Sequence, residues 1–216
     1  MSDETVLIPG GRDVRATLDR SGGGAGAGGV DGDDSGGAVV VECPPHPQHR
    51  GTRSDERLVA VADALGDRGV DALRFDYGAW DRGYGEREDA RNAVRWATTR
   101  YDRVALFGYS FGGAVSILAA AGTDDVDAVS ALAPASRLAV DLDAADALGD
   151  VDVPVQVVYG TRDDTADWEP VVERARERGD EVVEMSADHH FVGQAGKVAD
   201  AVASFLSPIL LGGDVP

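Results

Sequence analysis

Residue types that together can make a serine nucleophilic stand at the ends of apolar runs in this chain: Ser110, the aspartates Asp163, Asp164 and Asp167, and the adjacent histidines His189 and His190. A serine hydroxyl attacks a carbonyl only when a base takes its proton and a carboxylate orients that base and balances the imidazolium charge. Ser110 lies in Gly108-Tyr109-Ser110-Phe111-Gly112, between an apolar run of strand length, residues 104–107, and a helix-forming run, residues 114–121. A turn this tight leaves little room for side chains at Gly108 and Gly112, strains the backbone at the serine and pushes its hydroxyl outward. The helix that follows aims unpaired N–H groups and the positive end of its dipole at the serine. The amide of Phe111 can therefore donate to an oxyanion.

Positioning such groups takes a framework, and apolar periodicity supplies one. Residues 5–9 and 14–18 read as two strands of a hairpin turned by Gly10-Gly11-Arg12-Asp13, and residues 38–42 as a buried strand. That strand ends at Cys43-Pro44-Pro45-His46-Pro47-Gln48-His49, after which Thr52 or Ser54 can cap a helix over residues 55–67. A strand over 70–75, a helix over 86–100, the serine strand, and strands over 126–132, 153–159 and 181–185 follow. Helices are expected over 168–178 and 193–206. Alternating strands and helices from residue 38 onward predict an α/β fold: a mainly parallel sheet with helices on both faces and an antiparallel hairpin at its start. Sites in such sheets lie at the carboxyl ends of the strands, and the loops holding Ser110, Asp163 and His189 all leave strands there. Residues 21–37, almost entirely Gly, Ala, Ser and Asp, cannot form a core and read as a flexible surface loop, and residues 207–216 as a C-terminal tail.

The Gly108-Tyr109-Ser110-Phe111-Gly112 turn matches the G-x-S-x-G nucleophile elbow, and from residue 38 on the chain resembles the α/β-hydrolase family, small dienelactone-hydrolase-like members above all. That resemblance implies a Ser, Asp, His chain order. Gly160-Thr161-Arg162-Asp163 matches its G-x-x-D turn and selects Asp163, with Asp164 and Asp167 as fallbacks. Asp188-His189-His190-Phe191 resembles the family's Asp-His-Phe-Phe stretch and favours His189 as the base, leaving His190 as a pocket or surface residue. The resemblance also implies a second oxyanion donor from the loop after the third strand. Pro45 and Pro47 have no N–H, which leaves the amides of His46, Gln48 and His49, and Gln48 is the choice made here. His46, Tyr77, Trp80, Tyr84, Tyr109 and His190 are the expected substrate-pocket residues. Dienelactone hydrolases proper carry cysteine at the elbow, and serine here argues against dienelactone as the substrate; the expected reaction is hydrolysis of a small carboxylic ester or related acyl substrate through an acyl-enzyme, with a thioesterase or peptidase of the same fold, or a non-catalytic hydrolase-fold binding protein, as the alternatives. About fifty residues separate the elbow from Asp163, and a strand, one helix-length segment and another strand use most of them, so no cap domain is expected and the site should be shallow and open, which suits small or flexible esters.

Composition narrows the rest. The chain has 216 residues, enough for one domain spanning 1–216, and carries 39 acidic against 20 basic residues, a net charge of −19, with Lys197 its only lysine. The acid is spread over nearly every loop and helix, which resembles a halophile's proteome signature. At molar salt, where the Debye length is about 3 Å, such a surface stays hydrated without self-repulsion. Nucleic acid and anionic membrane are poor partners for it. A small-molecule acyl substrate is the expected partner, and no metal or organic cofactor is called for. Cys43 stands alone, so an internal disulfide is not possible, and an acidic N-terminus without a basic or apolar leader points to the cytoplasm. Oligomeric state is left open.

Overall fold

Each apolar run that fits a strand folds as one, and the sheet they form is the frame of the molecule. A computed structural model describes residues 2–22 and 36–212. The strands are β1 (Ser2–Ile8), β2 (Val14–Arg20), β3 (Ala38–Cys43), β4 (Asp71–Asp76), β5 (Arg103–Tyr109), β6 (Ala128–Leu132), β7 (Arg137–Ala139), β8 (Leu142–Asp143), β9 (Val155–Gly160) and β10 (Glu181–Met185). Eight of them make one sheet in the order β1-β2-β4-β3-β5-β6-β9-β10. β1 and β2 pair antiparallel, β2 meets β4 antiparallel, and every later pairing in this sheet is parallel.

Alternation along the central strands explains why their sequences are apolar without interruption. On β5, Val104 and Leu106 face one side of the sheet and Ala105 and Phe107 the other, and all four are buried. Strands covered on both faces have no solvent side to mark with polar residues. The helices α1 (Glu56–Gly66) and α6 (Ala195–Leu210) close one face through Leu58, Leu65, Val202 and Leu206. The opposite face is closed by α2 (Tyr84–Thr98), α3 (Phe111–Ala120), α4 (Ala144–Ala147) and α5 (Glu169–Arg178), through residues such as Ala93, Val115, Ala144 and Val171. The fold is thus a mainly parallel α/β sheet with helices on both faces.

Four local differences from the sequence reading have physical causes. α1 is capped by Asp55, whose side chain accepts from the amide of Arg57 at 3.0 Å, while Thr52 instead turns the chain one step earlier by accepting from the amide of Ser54. α2 begins at Tyr84 because the Glu86 carboxylate takes the amides of Gly83 and Asp81, satisfying donors that a helix start leaves open. Residues 137–150 form the β7–β8 hairpin, α4 and a short 3-10 turn in place of one helix. α6 runs through Pro208 to Leu210, past the expected start of the tail at 207. A proline near a helix end removes a single N–H, and buried Leu206 and Leu210 hold the last turn against the core. Most of the glycine-rich segment expected over 21–37 and the last four residues of the tail lie outside the described residues.

Candidate active site

The backbone at Ser110 is the local cause of everything around it. Its φ of 58° and ψ of −117° lie outside the ordinary regions for a residue with a side chain, a conformation that costs about 1–3 kcal/mol and survives only where surroundings enforce it. The Ser110 amide donates to the carbonyl of Leu132 at 2.8 Å, and its own carbonyl accepts from the amide of Gly113 at 2.9 Å. β5 and α3 are pressed together beneath it: a Cβ at Gly108 would sit 2.0 Å from the carbonyl oxygen of Gly112, and one at Gly112 would sit 2.1 Å from that of Cys43. The serine caps no helix amide with its hydroxyl. Its Oγ instead lies 2.9 Å from Nε2 of His189.

His189 and Asp163 arrive from the loops after β10 and β9. Nδ1 of His189 is 2.7 Å from Oδ2 of Asp163, and both residues are buried, at 6% and 8% exposure. Oδ1 of the same carboxylate accepts the amides of Thr165 and Ala166 at 2.9 and 3.1 Å, and the Trp168 indole donates to the Asp163 carbonyl at 3.1 Å. Oδ2 can thus accept an N–H from Nδ1, the tautomer that leaves Nε2 to accept from the serine. The alternatives are placed elsewhere: Asp164 is exposed, and Asp167 accepts from the Ser136 hydroxyl at 2.8 Å. His190 is exposed, with its ring edge-on to that of His189 at 5.5 Å.

A cleft of about 480 Å³ opens over the serine. Of the six residues expected in a substrate pocket, His46, Trp80, Tyr109 and His190 line it. Tyr77 does not: it packs edge-on against Phe75 and Phe111 and donates to the Pro44 carbonyl at 3.2 Å, supporting the floor from behind. Nor does Tyr84, which starts α2 and ties its hydroxyl to Asp141 on the β7–β8 hairpin. Gln48 also has to be withdrawn as an oxyanion donor. It is exposed, outside the cleft lining, and its amide donates to Nδ1 of His46 at 3.2 Å. The amide of His49 is committed to the His46 carbonyl at 2.9 Å. Of the three amides weighed, that leaves His46, which lines the cleft together with Phe111.

Several lining residues carry no motif and escaped the sequence reading: Arg50, Asp55, Arg57, Arg137 and Leu138. Arg137 and Leu138 follow the carboxyl end of β6, a position that marks a site in this architecture and was the one available signal. The cleft gathers all four histidines and three arginines in a chain of net charge −19. Arg57 is paired with Asp55 and Arg137 with Asp143, whereas Arg50 makes no hydrogen bond or ion pair with any described residue. Burial, with the neighbouring His49 charge second, holds the His46 imidazole below its ordinary range. Burial pushes the Tyr109 phenol up to about 12, so it stays a neutral donor. Among the described residues no three His, Cys, Asp or Glu side chains converge as a metal ion would require, and no helix is long and apolar enough to cross a membrane.

The dienelactone hydrolase family model matches residues 75–196, more than half of the chain. No curated protein matches. Among solved structures, an alpha-beta serine hydrolase homologue from Coxiella burnetii superposes with a TM-score of 0.76 at 25% identity, covering 95% of this chain and 98% of its own. A serine hydrolase without a lid from Xanthomonas campestris gives 0.73 at 22% identity, over 94% and 95% of the two chains. A dienelactone hydrolase from Anabaena variabilis gives 0.71 at 21% identity, over 98% of each.

Proposed function

The chain belongs to the dienelactone hydrolase family and is an α/β hydrolase, and on that premise we propose that it hydrolyses small carboxylic esters through an acyl-enzyme on Ser110. The observation that carries this reading is the unbroken hydrogen-bonded chain from Ser110 Oγ through His189 to Asp163. Ser110 Oγ attacks the acyl carbonyl carbon as His189 Nε2 takes its proton, and the carbonyl π pair moves onto oxygen. The amides of Phe111 and His46 receive that oxyanion, each such donor being worth about 10²- to 10³-fold in rate. Collapse of the intermediate expels the alcohol, protonated by His189. A water deprotonated by His189 then attacks the acyl-enzyme and releases the carboxylic acid, with Ser110 recovering its proton. Asp163 holds the productive tautomer and balances the imidazolium.

The cleft supports a substrate class. A volume of about 480 Å³ suits a small acyl group, and the unpaired charge of Arg50 on its rim favours an ester bearing a second, anionic group over its neutral isostere. Thioesters share the carbonyl chemistry and are the other class to assay. The decisive experiment is labelling with a fluorophosphonate probe. The reading expects stoichiometric labelling that Ser110→Ala abolishes; a folded wild-type protein that resists the probe would refute it and leave a hydrolase-fold binding protein. Comparing a half-ester of a dicarboxylic acid with a neutral ester of equal length, before and after Arg50→Gln, tests the substrate class.

A further inference from the structure

The base loop hangs from the edge of the sheet. β10 has a neighbour on one side only, and the loop that leaves it carries His189 out to the serine. Most of the loop's hydrogen bonds are local or run to the acid side: the His190 and Phe191 amides donate to Asp188, and the Arg162 amide to the Ala187 carbonyl. Phe191 holds a φ of 50°, so the turn just after the histidine pair rests in a conformation its side chain disfavours.

Two side chains reach the loop from the serine side. The Tyr109 hydroxyl donates to the His189 carbonyl at 3.0 Å, and Nη1 of Arg57 donates to the His190 carbonyl at 2.9 Å. These are consecutive carbonyls, that of the base itself and that of the residue after it. Arg57 lies with its guanidinium 4.4 Å from the centre of the Tyr109 ring, so the two donors are stacked into one unit. Asp55, the cap of α1, grips the guanidinium at both Nε and Nη2, and Nη1, which also reaches the exposed Glu56 carboxylate at 3.3 Å, is turned toward the loop. Arg57 and Asp55 are each only 12% exposed along their side chains.

We propose that Arg57, clamped by Asp55 and stacked on Tyr109, is a positioning residue that sets the distance between His189 and Ser110. The inference rests on the hydrolase reading above. A charged fork fixed at three points is stiffer than the loop it holds, and Nε2 has to stay within hydrogen-bond reach of Oγ for proton transfer. Releasing the His190 carbonyl lets the loop relax and carries the imidazole away from the serine, while the cleft that binds the acyl group remains.

The test compares wild type, Arg57→Met, Arg57→Lys, Tyr109→Phe and the Arg57→Met/Tyr109→Phe pair, all checked for folding by thermal midpoint. Arg57→Met is expected to lower kcat by about 10- to 100-fold, the scale of a misplaced catalytic group, with KM within about twofold. Tyr109→Phe, which deletes one hydroxyl and keeps the ring, is expected to cost about fivefold. The pair should fall short of the product of the single effects, because both act through one loop. Arg57→Lys should recover part of kcat, since an ammonium reaches one acceptor but cannot fork. Kcat within twofold of wild type in folded Arg57→Met, or a loss confined to KM, overturns the proposal while leaving the hydrolase reading intact. A wild-type protein that the fluorophosphonate does not label removes the premise and the proposal together.

Discussion

Gly112→Ala would place a Cβ 2.1 Å from the carbonyl oxygen of Cys43 and 2.5 Å from that of Pro44, both backbone atoms with no rotamer by which to withdraw. Opening the closer contact even to 3.0 Å takes nearly 1 Å of movement at the end of β3 or the start of α3. The Phe111 amide begins α3 and the His46 amide follows β3, so the strain is relieved by widening the space proposed above for the oxyanion. A displacement of that size at a preorganised site costs about 10²-fold in kcat/KM, or about 2.7 kcal/mol of transition-state stabilisation. Overpacking costs a further 1–3 kcal/mol or so of folding stability. Gly113→Ala is the matched control: its Cβ meets Pro134 at 3.1 Å, a contact that a few tenths of an ångström relieves. Ester hydrolysis and thermal unfolding of both variants provide the measurement. Wild-type kcat/KM in Gly112→Ala, or equal losses in the two variants, would refute the claim that the approach of α3 to β3 shapes the oxyanion site.

Three other outcomes are expected. Asp163→Asn should lower kcat by about 10³- to 10⁴-fold with a small change in KM, because an amide does not enforce the Nδ1–H tautomer that leaves Nε2 free; steady-state kinetics decides it. Glu42, fully buried on β3 with no hydrogen-bond partner for either oxygen among the described residues, has its carboxyl held well above the usual range by burial, despite the nearby Arg74. Folding therefore takes up a proton, and its stabilising contribution is complete below the unfolded pKa and is lost as pH rises toward the folded one. Glu42→Gln should accordingly gain stability over wild type by about 1–3 kcal/mol at pH 8 and little at pH 4; denaturant titrations with no pH-dependent difference would contradict this. With a net charge of −19, the fold should gain thermal stability between dilute buffer and molar potassium chloride, and a midpoint unchanged across that range would reject the self-repulsion argument.

The amino-acid sequence by itself determined what short-range sterics control. Two glycines flanking a serine between a strand and a helix have few ways to fold, and the elbow at Ser110 is one of them. The buried strands were legible for the same reason, since an apolar run too short for a helix has to be covered on both faces. Only the tertiary structure decided matters that depend on where distant segments meet. His189 and His190 are adjacent and chemically identical, and what separates them is a turn at Phe191 and two donors from β5 and α1, remote in the chain. Gln48 and His46 differ by which amide the loop has already used, and Tyr77 and Trp80, both packed on Phe111, differ in that only Trp80 lines the cleft. The cationic clamp at Arg57 had no local signature, because its partners are a helix cap, an aromatic ring and a carbonyl that come together only when the sheet is closed.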